Sequence, residues 1–368
     1  MSMKTLMKHR QISQWIIDGI QSGQFRPGDR LPSEFALAEQ FDASRQTVRH
    51  ATDELVKKGI LTRQRGSGTY VSKNSDVTHK GSRRVGVITT YIDDYVFPGI
   101  IRGIESTLTP LGYTVSLGVT HDSHIEEAAC LRRIIDDGIC GLIIEGTKSA
   151  IPSPNLSFFE QLRSRNIPMI FLNGYYRELT QCGVFQDDVV TARMLTEQLI
   201  KNGHKKIAAV FKSDDLQGLK RFEGMQQALY AADLFVEDRR ILWYTTEDVS
   251  DYFSGALDSF ILNRFGDATA LVCYNDQIAA LVCDLLKRNG KSVPKDISVV
   301  SFDNSPLASD TAYCLTSSIY PSTEIGATAA NLLVRCLRDN NYREHIRLQP
   351  EIAYRPSIRK LSGSKDGK

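Results

Sequence analysis

From residue 85 onward, short apolar runs alternate with helix-length segments, and part-way along the chain the alternation starts afresh. The first series is VGVIT (85–89), YTVSLGV (113–119), GLIIE (141–145) and PMIFL (168–172). The second is KIAAVF (206–211), ILWYT (241–245), ALVCYN (270–275) and DISVVSF (296–302). Strands this continuously apolar are buried on both faces, as they are in a parallel sheet covered by crossover helices. A series that restarts predicts two α/β lobes in succession. Ligands of such folds bind where strand carboxyl ends face a cleft.

Residues 1–72 follow a different grammar. Ile12, Trp15, Ile16 and Ile20 recur at helical spacing until Gly23 and Pro27-Gly28 stop them. A second helix is predicted after Pro32-Ser33, with Leu37, Ala38 and Phe41 inward. A third begins with Ser44 as N-cap and places Val48, Ala51 and Leu55 on one face, until Gly59. ILTRQR (60–65) and TYV (69–71), joined by Gly66-Ser67-Gly68, read as a hairpin. Residues 73–84 are polar and aperiodic, a linker between this small head and a body spanning 85–368.

Charge divides the same way. The chain as a whole carries +2, yet residues 1–72 hold eleven Lys or Arg against seven Asp or Glu. Lys73, Lys80, Arg83 and Arg84 extend that excess, so a basic head precedes an acidic body. The arrangement implies a polyanion partner for the head. SRQTVRH (44–50) supplies the chemistry: Arg45 and Arg49, one turn apart, share an outward face with Gln46 nearby. An arginine fork matches guanine O6 and N7, and the Ser44 and Thr47 hydroxyls suit phosphate. The hairpin tip Arg65-Gly66-Ser67-Gly68 lacks bulk, so its backbone can approach a narrow minor groove that attracts Arg65.

The head, carried by GQFRPGDRLPSEFALAEQFDASRQTVRHATDELVKKGILTRQRGSGTYV, resembles the winged helix-turn-helix of the GntR family of bacterial regulators. The resemblance implies contacts to double-stranded operator DNA from Glu34, Arg45, Thr47, Arg49, Arg65 and Gly66. Two positions depart from the family pattern: Ala43, where valine is usual, and Phe35, where a polar residue is usual.

In the body, the loops after the strands mix carboxylates, amides, bases and aromatics, the set that sugar hydroxyls and an apolar sugar face require. YNDQIAALVCDLLKRNGKSVPKDISVVSFDN, LTSSIYPSTEIGATAANLL, KNGHKKIAAVF, RFEGMQQAL and YRPS resemble the effector domain of LacI/GalR repressors. That resemblance implies effector contacts at Asn173, Arg221, Asn275 and Asp303, and dimerisation through the body. The GntR–LacI fusion, with TTYIDDYVFPGIIRGIE, FKSDDLQGLKR and CYNDQIA, is similar to bacterial repressors that answer to L-arabinose, which adds Tyr95, Phe97, Glu145 and Lys212. The LacI-type hinge helix has no counterpart in the aperiodic linker.

Other classes find less support. There is no G-x-S-x-G, Walker A loop or H-E-x-x-H, and His121-x-x-His124 lacks further metal ligands. No cofactor, metal or enzyme activity is expected. Asp93-Asp94 and Asp214-Asp215 are acid–base candidates on paper, and hydroxyl acceptors more simply. Seven scattered cysteines without a C-x-x-C pair argue against a disulfide framework. With no apolar run of about 18 residues and no secretory h-region, a cytoplasmic protein is expected. The expectation is a repressor dimer released from operator DNA by a monosaccharide. Its alternatives are a repressor answering another sugar, a sugar-binding protein without a DNA role, or a sugar-acting enzyme.

Overall fold

The computed structural model describes residues 3–21, 24–26, 28–57, 59–64, 67–72, 82–92, 95–179 and 182–361. The head consists of α1 (Met3–Gln21), α2 (Glu34–Gln40), α3 (Arg45–Lys57) and an antiparallel hairpin of β1 (Leu61–Gln64) and β2 (Gly68–Val71). Ser33 caps α2 by accepting from the Ala36 N–H, satisfying a donor the helix itself leaves free. Ile12, Ile16, Leu37, Val48, Ala51 and Leu55 meet Leu61 and Val71 in one core, so the periodicity of the sequence is also the packing. Each fully buried Leu or Ile there contributes about 1.5–3 kcal/mol. Trp15 stands edge-on to Phe25 and Phe41, with centroids 5.3 and 5.5 Å away.

The body's first strand starts at Arg84, one residue before the expected domain boundary, and residues 73–81 of the expected linker lie outside the described residues. In chain order the first half runs β3 (Arg84–Thr89), α4 (Phe97–Leu108), β4 (Thr114–Val119), α5 (His124–Asp136), β5 (Gly141–Glu145), α6 (Leu156–Ser164), β6 (Met169–Leu172) and β7 (Gly183–Gln186). The second half runs α7 (Asp188–Lys201), β8 (Ile207–Lys212), α8 (Leu216–Ala231), β9 (Ile241–Tyr244), α9 (Val249–Tyr252), α10 (Asp258–Phe265), β10 (Ala270–Cys273), α11 (Asp276–Arg288), β11 (Ser298–Asp303), α12 (Pro306–Ser309) and β12 (Thr316–Ile319). α13 (Ser322–Arg338), β13 (His345–Leu348) and β14 (Glu351–Ala353) follow.

Two sheets result. Lobe 1 is all parallel in the order β13-β7-β6-β5-β3-β4; lobe 2 has the order β14-β12-β11-β10-β8-β9, with β14 antiparallel at the edge. The chain passes between lobes after β7, after β12 and between β13 and β14, so the lobes share three strand-end connections. α13 returns to lobe 1 and lies against α4 at backbone distance. A Cβ added to Gly103 would stand 2.1 Å from the Thr323 carbonyl oxygen, and one added to Gly326 2.1 Å from that of Ile100. Either substitution would force these helices apart.

Candidate functional site

On the head, α3 presents an exposed Arg45 and Gln46. Arg49 is forked onto Glu34, with Nη2 3.0 Å from Oε2 and Nε 3.4 Å from Oε1, and the Glu34 carboxylate raises its pKa. Glu34 also meets Arg63 at 3.3 Å, and Arg63 reaches Asp53 at 2.8 Å. This cluster ties α2, α3 and β1 together, and among the described residues Arg45 has no ion pair. A groove between α3 and the hairpin is walled by Arg30, Glu34, Phe35, Arg45, Arg63 and Ser67. Phe35 is 66% exposed on its rim, a surface position in keeping with its unusual identity.

Between the lobes lies a cavity of about 630 Å³, within the size range of small-molecule sites. Tyr95, Phe97, Glu145 and Asn173 reach it from lobe 1, and Lys212, Asn275 and Asp303 from lobe 2. Glu145 closes β5 and accepts from the Thr90 N–H at 3.0 Å, the Thr90 hydroxyl at 2.6 Å and Asn173 Nδ2 at 2.6 Å. The Tyr320 hydroxyl donates to Asn173 Oδ1 at 2.5 Å. Tyr95 crosses the cleft to donate to Asp303 Oδ2 at 2.6 Å, and Lys212 crosses it the other way to Asp122 at 2.5 Å. Tyr95, Asn173 and Asp303 hold φ of +64°, +58° and +96°. Such backbone costs about 1–3 kcal/mol per residue and gathers where a site dictates geometry.

Residues 8–71 match the bacterial regulatory proteins of the gntR family, and residues 196–358 a periplasmic binding protein-like domain. An arabinose metabolism transcriptional repressor of Geobacillus stearothermophilus is 37% identical, covering 98% of this chain and 100% of that protein. One of Halalkalibacterium halodurans is 34% identical over 95% of each. The chain belongs to the arabinose metabolism transcriptional repressors. The transcription regulator CcpA of Lactococcus lactis has the same body fold, with a TM-score of 0.67 at 25% identity over 76% of this chain and all of that one. Members of the family are named as repressors and not as enzymes, which agrees with the reading of the sequence.

Within this repressor, Arg221, expected at the effector, and Thr47, expected at DNA, are each engaged by protein partners. Arg221 is 1% exposed and does not line the cavity. Its Nε lies 2.8 Å from Asp188 Oδ1, its Nη1 donates to the Tyr274 carbonyl at 2.6 Å, and its Nη2 lies 3.3 Å from Asp303 Oδ1. Phe302 and Tyr274 carry the guanidinium on their ring faces at 4.4 and 5.0 Å. Arg221 therefore orients Asp303 from behind. Thr47 is 4% exposed, and its hydroxyl is 2.8 Å from Ser44 Oγ, which also accepts from the Thr47 N–H at 3.1 Å. Ser44 Oγ thus caps α3 while the residue itself stays exposed, and the Thr47 hydroxyl is bonded to it from the buried side. Arg65 and Gly66 lie outside the described residues, as do Asp93 and Asp94.

The charged groups that line the cavity face partners within the protein. Burial raises the pKa of Glu145 against the pull of Asn173 and Thr90, and burial likewise raises that of Asp303 against Arg221. Burial works against the Lys212 charge, but Asp215, Asp122 and Asp214 outweigh it and raise its pKa. Asn275 spends Oδ1 on capping α11 at the Ile278 N–H, 2.9 Å away. Asp122, Thr246 and Tyr274 also line the cavity and are not among the contacts expected from the sequence, and Asp215, expected as a hydroxyl acceptor, lines it too. Asp215 accepts from Ser149 at 3.0 Å, so the Asp214-Asp215 pair is an acceptor cluster. Among the described residues no group of three or more His, Cys, Asp or Glu is placed to hold a metal, and no helix is long and apolar enough to cross a membrane.

Proposed function

We propose that the chain is a cytoplasmic homodimeric repressor whose two heads read a two-fold operator and which releases it when L-arabinose enters the interlobe cavity. The observation that carries this reading is that polar side chains from both lobes bond to one another across the cavity, Tyr95 to Asp303 and Lys212 to Asp122. A small polyol bridges such a set by offering each group a hydroxyl in place of its partner. Occupancy then fixes the lobe angle, and the sugar acts on DNA through its difference in affinity between the two lobe arrangements. A dimer follows from the size of the head, because a single winged helix buries little surface on DNA and a symmetric pair doubles it.

On the head, Arg45 reads a base and Arg49 with Glu34 and Arg63 braces the reading helix. The relatives' names point to arabinose metabolism, which makes L-arabinose the first sugar of a series. Calorimetry across common monosaccharides tests the assignment: L-arabinose binds tightest, and a panel in which a hexose binds tighter overturns it.

A further inference from the structure

Away from the cleft, two thiols face each other inside lobe 1. Cys182, just ahead of β7, and Cys336, near the end of α13, have Sγ atoms 3.7 Å apart. Both residues are buried, and both sulphurs lie against the Tyr342 carbonyl at 3.8 and 3.5 Å. One partner leads directly into a strand of the lobe 1 sheet and the other lies on a helix packed against that sheet, so the backbone holds the encounter in place. A second cavity, of about 120 Å³, is lined by both cysteines and has Arg163 and Arg343 on its wall. It has room for several water-sized molecules. The Cys182 thiol is held below its ordinary range because Cys336 hydrogen-bonds to it, with a Glu344 backbone bond and the Arg343 charge adding to the effect. The same bond pushes Cys336 up. Nothing in the sugar or DNA chemistry uses either group.

We propose that Cys182 and Cys336 are a reversible modification site, closing to a disulfide when the protein meets hydrogen peroxide. The Cys182 thiolate attacks one peroxide oxygen, the O–O bond breaks, and the departing hydroxide takes a proton and leaves as water. The resulting Cys182 sulfenic acid is then attacked by the Cys336 sulphur. An S–S bond forms, the S–O bond breaks, and the second oxygen leaves as water with the Cys336 proton. Two electrons pass from the thiol pair to the peroxide. The sulphurs must close from 3.7 Å to roughly 2.0 Å. Where thiols are kept reduced, disulfides of this kind are transient and sensing.

The position gives the modification a consequence. α13 starts beside the cleft, where the preceding Tyr320 holds Asn173, and its far half packs at the N-terminal ends of the strands: Leu333 lies under Gly141, the first residue of β5, and the neighbouring Cys140 N–H bonds the carbonyl of Arg84, the first residue of β3. A crosslink at Cys336 fixes that far end to β7 and changes operator affinity; this second half rests on the function proposed above.

The test treats native full-length protein with hydrogen peroxide, alkylates remaining thiols with iodoacetamide, and maps peptides with and without dithiothreitol. The expected result is a Cys182–Cys336 linked peptide that dithiothreitol removes and that both Cys182→Ser and Cys336→Ser lack. Both thiols recovered alkylated, or Cys182 driven to sulfinic acid beside a free Cys336, overturns the site. That readout involves neither DNA nor sugar, so it stands or falls apart from the proposed function. In a gel shift, oxidised wild type differs from reduced by about fivefold or more, dithiothreitol restores it, and Cys182→Ser does not respond. A crosslink without such a change overturns the link to DNA.

Discussion

Arg221 stands behind Asp303: the guanidinium Nη2 is 3.3 Å from Asp303 Oδ1, while the other carboxylate oxygen faces the cleft and takes the Tyr95 hydroxyl at 2.6 Å. A buried cation thus sets the angle of an acid that the ligand meets. Arg221→Ala leaves Asp303 and Asp188 buried without their counter-charge. It is expected to lower stability by about 3–5 kcal/mol in urea unfolding and to abolish the sugar response. Arg221→Lys restores charge without the fork and is expected to recover stability in part. An Arg221→Ala protein as stable as wild type contradicts the bracing role.

Glu145 is expected to behave differently, because its partners Thr90 and Asn173 border the cavity directly. Glu145→Gln keeps the shape and loses the charge. Sugar affinity measured by calorimetry is expected to fall by about 1.5–3 kcal/mol, the worth of a hydrogen bond to a charged group, with operator binding of the free protein unchanged. An unaltered Kd for sugar removes Glu145 from the site.

Asp276 carries a pH signature. Burial and then Asp303 raise its carboxyl to about 6, against Ser301, Ser317 and the Ser305 N–H, which lower it. Between about pH 4 and 6 the folded chain keeps a proton that the unfolded chain has lost, so this group's contribution falls as pH rises through that window. From pH 4 to 7, wild type is expected to lose about 2 kcal/mol relative to Asp276→Asn, read from paired urea melts. A constant difference between the two proteins contradicts it.

Arg45 and Arg49, equivalent in the heptapeptide SRQTVRH, separate in the structure. Arg45→Ala is expected to weaken operator binding by about 1–3 kcal/mol and to relax preference at one base pair. Arg49→Ala releases Glu34 and is expected to loosen the head as well as its affinity, seen as a lower head melting temperature. A gel shift unchanged by Arg45→Ala removes α3 from the groove.

The division into head and two lobes was legible because parallel strands buried on both faces have to be apolar, and all eight apolar runs became strands. β7 (GVFQ), β12 (TSSI) and β13 (HIRL) are short and partly polar, held by neighbours on the sheet and not by their own pattern, and periodicity does not reveal them. Residue types for the cleft were also legible, since strand ends must face it. Depth was not: whether Arg221 points into the cavity or stacks beneath it depends on Asp188, Phe302 and Tyr274, which come from three separate elements. Thr47 shows the same limit: its sequence position does not tell that its hydroxyl meets Ser44 Oγ, the N-cap of α3.

The most direct measurement follows fluorescence anisotropy of a labelled operator duplex bound to full-length protein while L-arabinose is added. The account predicts a high signal without sugar that falls to the free-duplex value as the sugar saturates, with the same titration leaving the Arg221→Ala complex bound. A complex that stays intact at sugar concentrations shown by calorimetry to fill the cavity would contradict it.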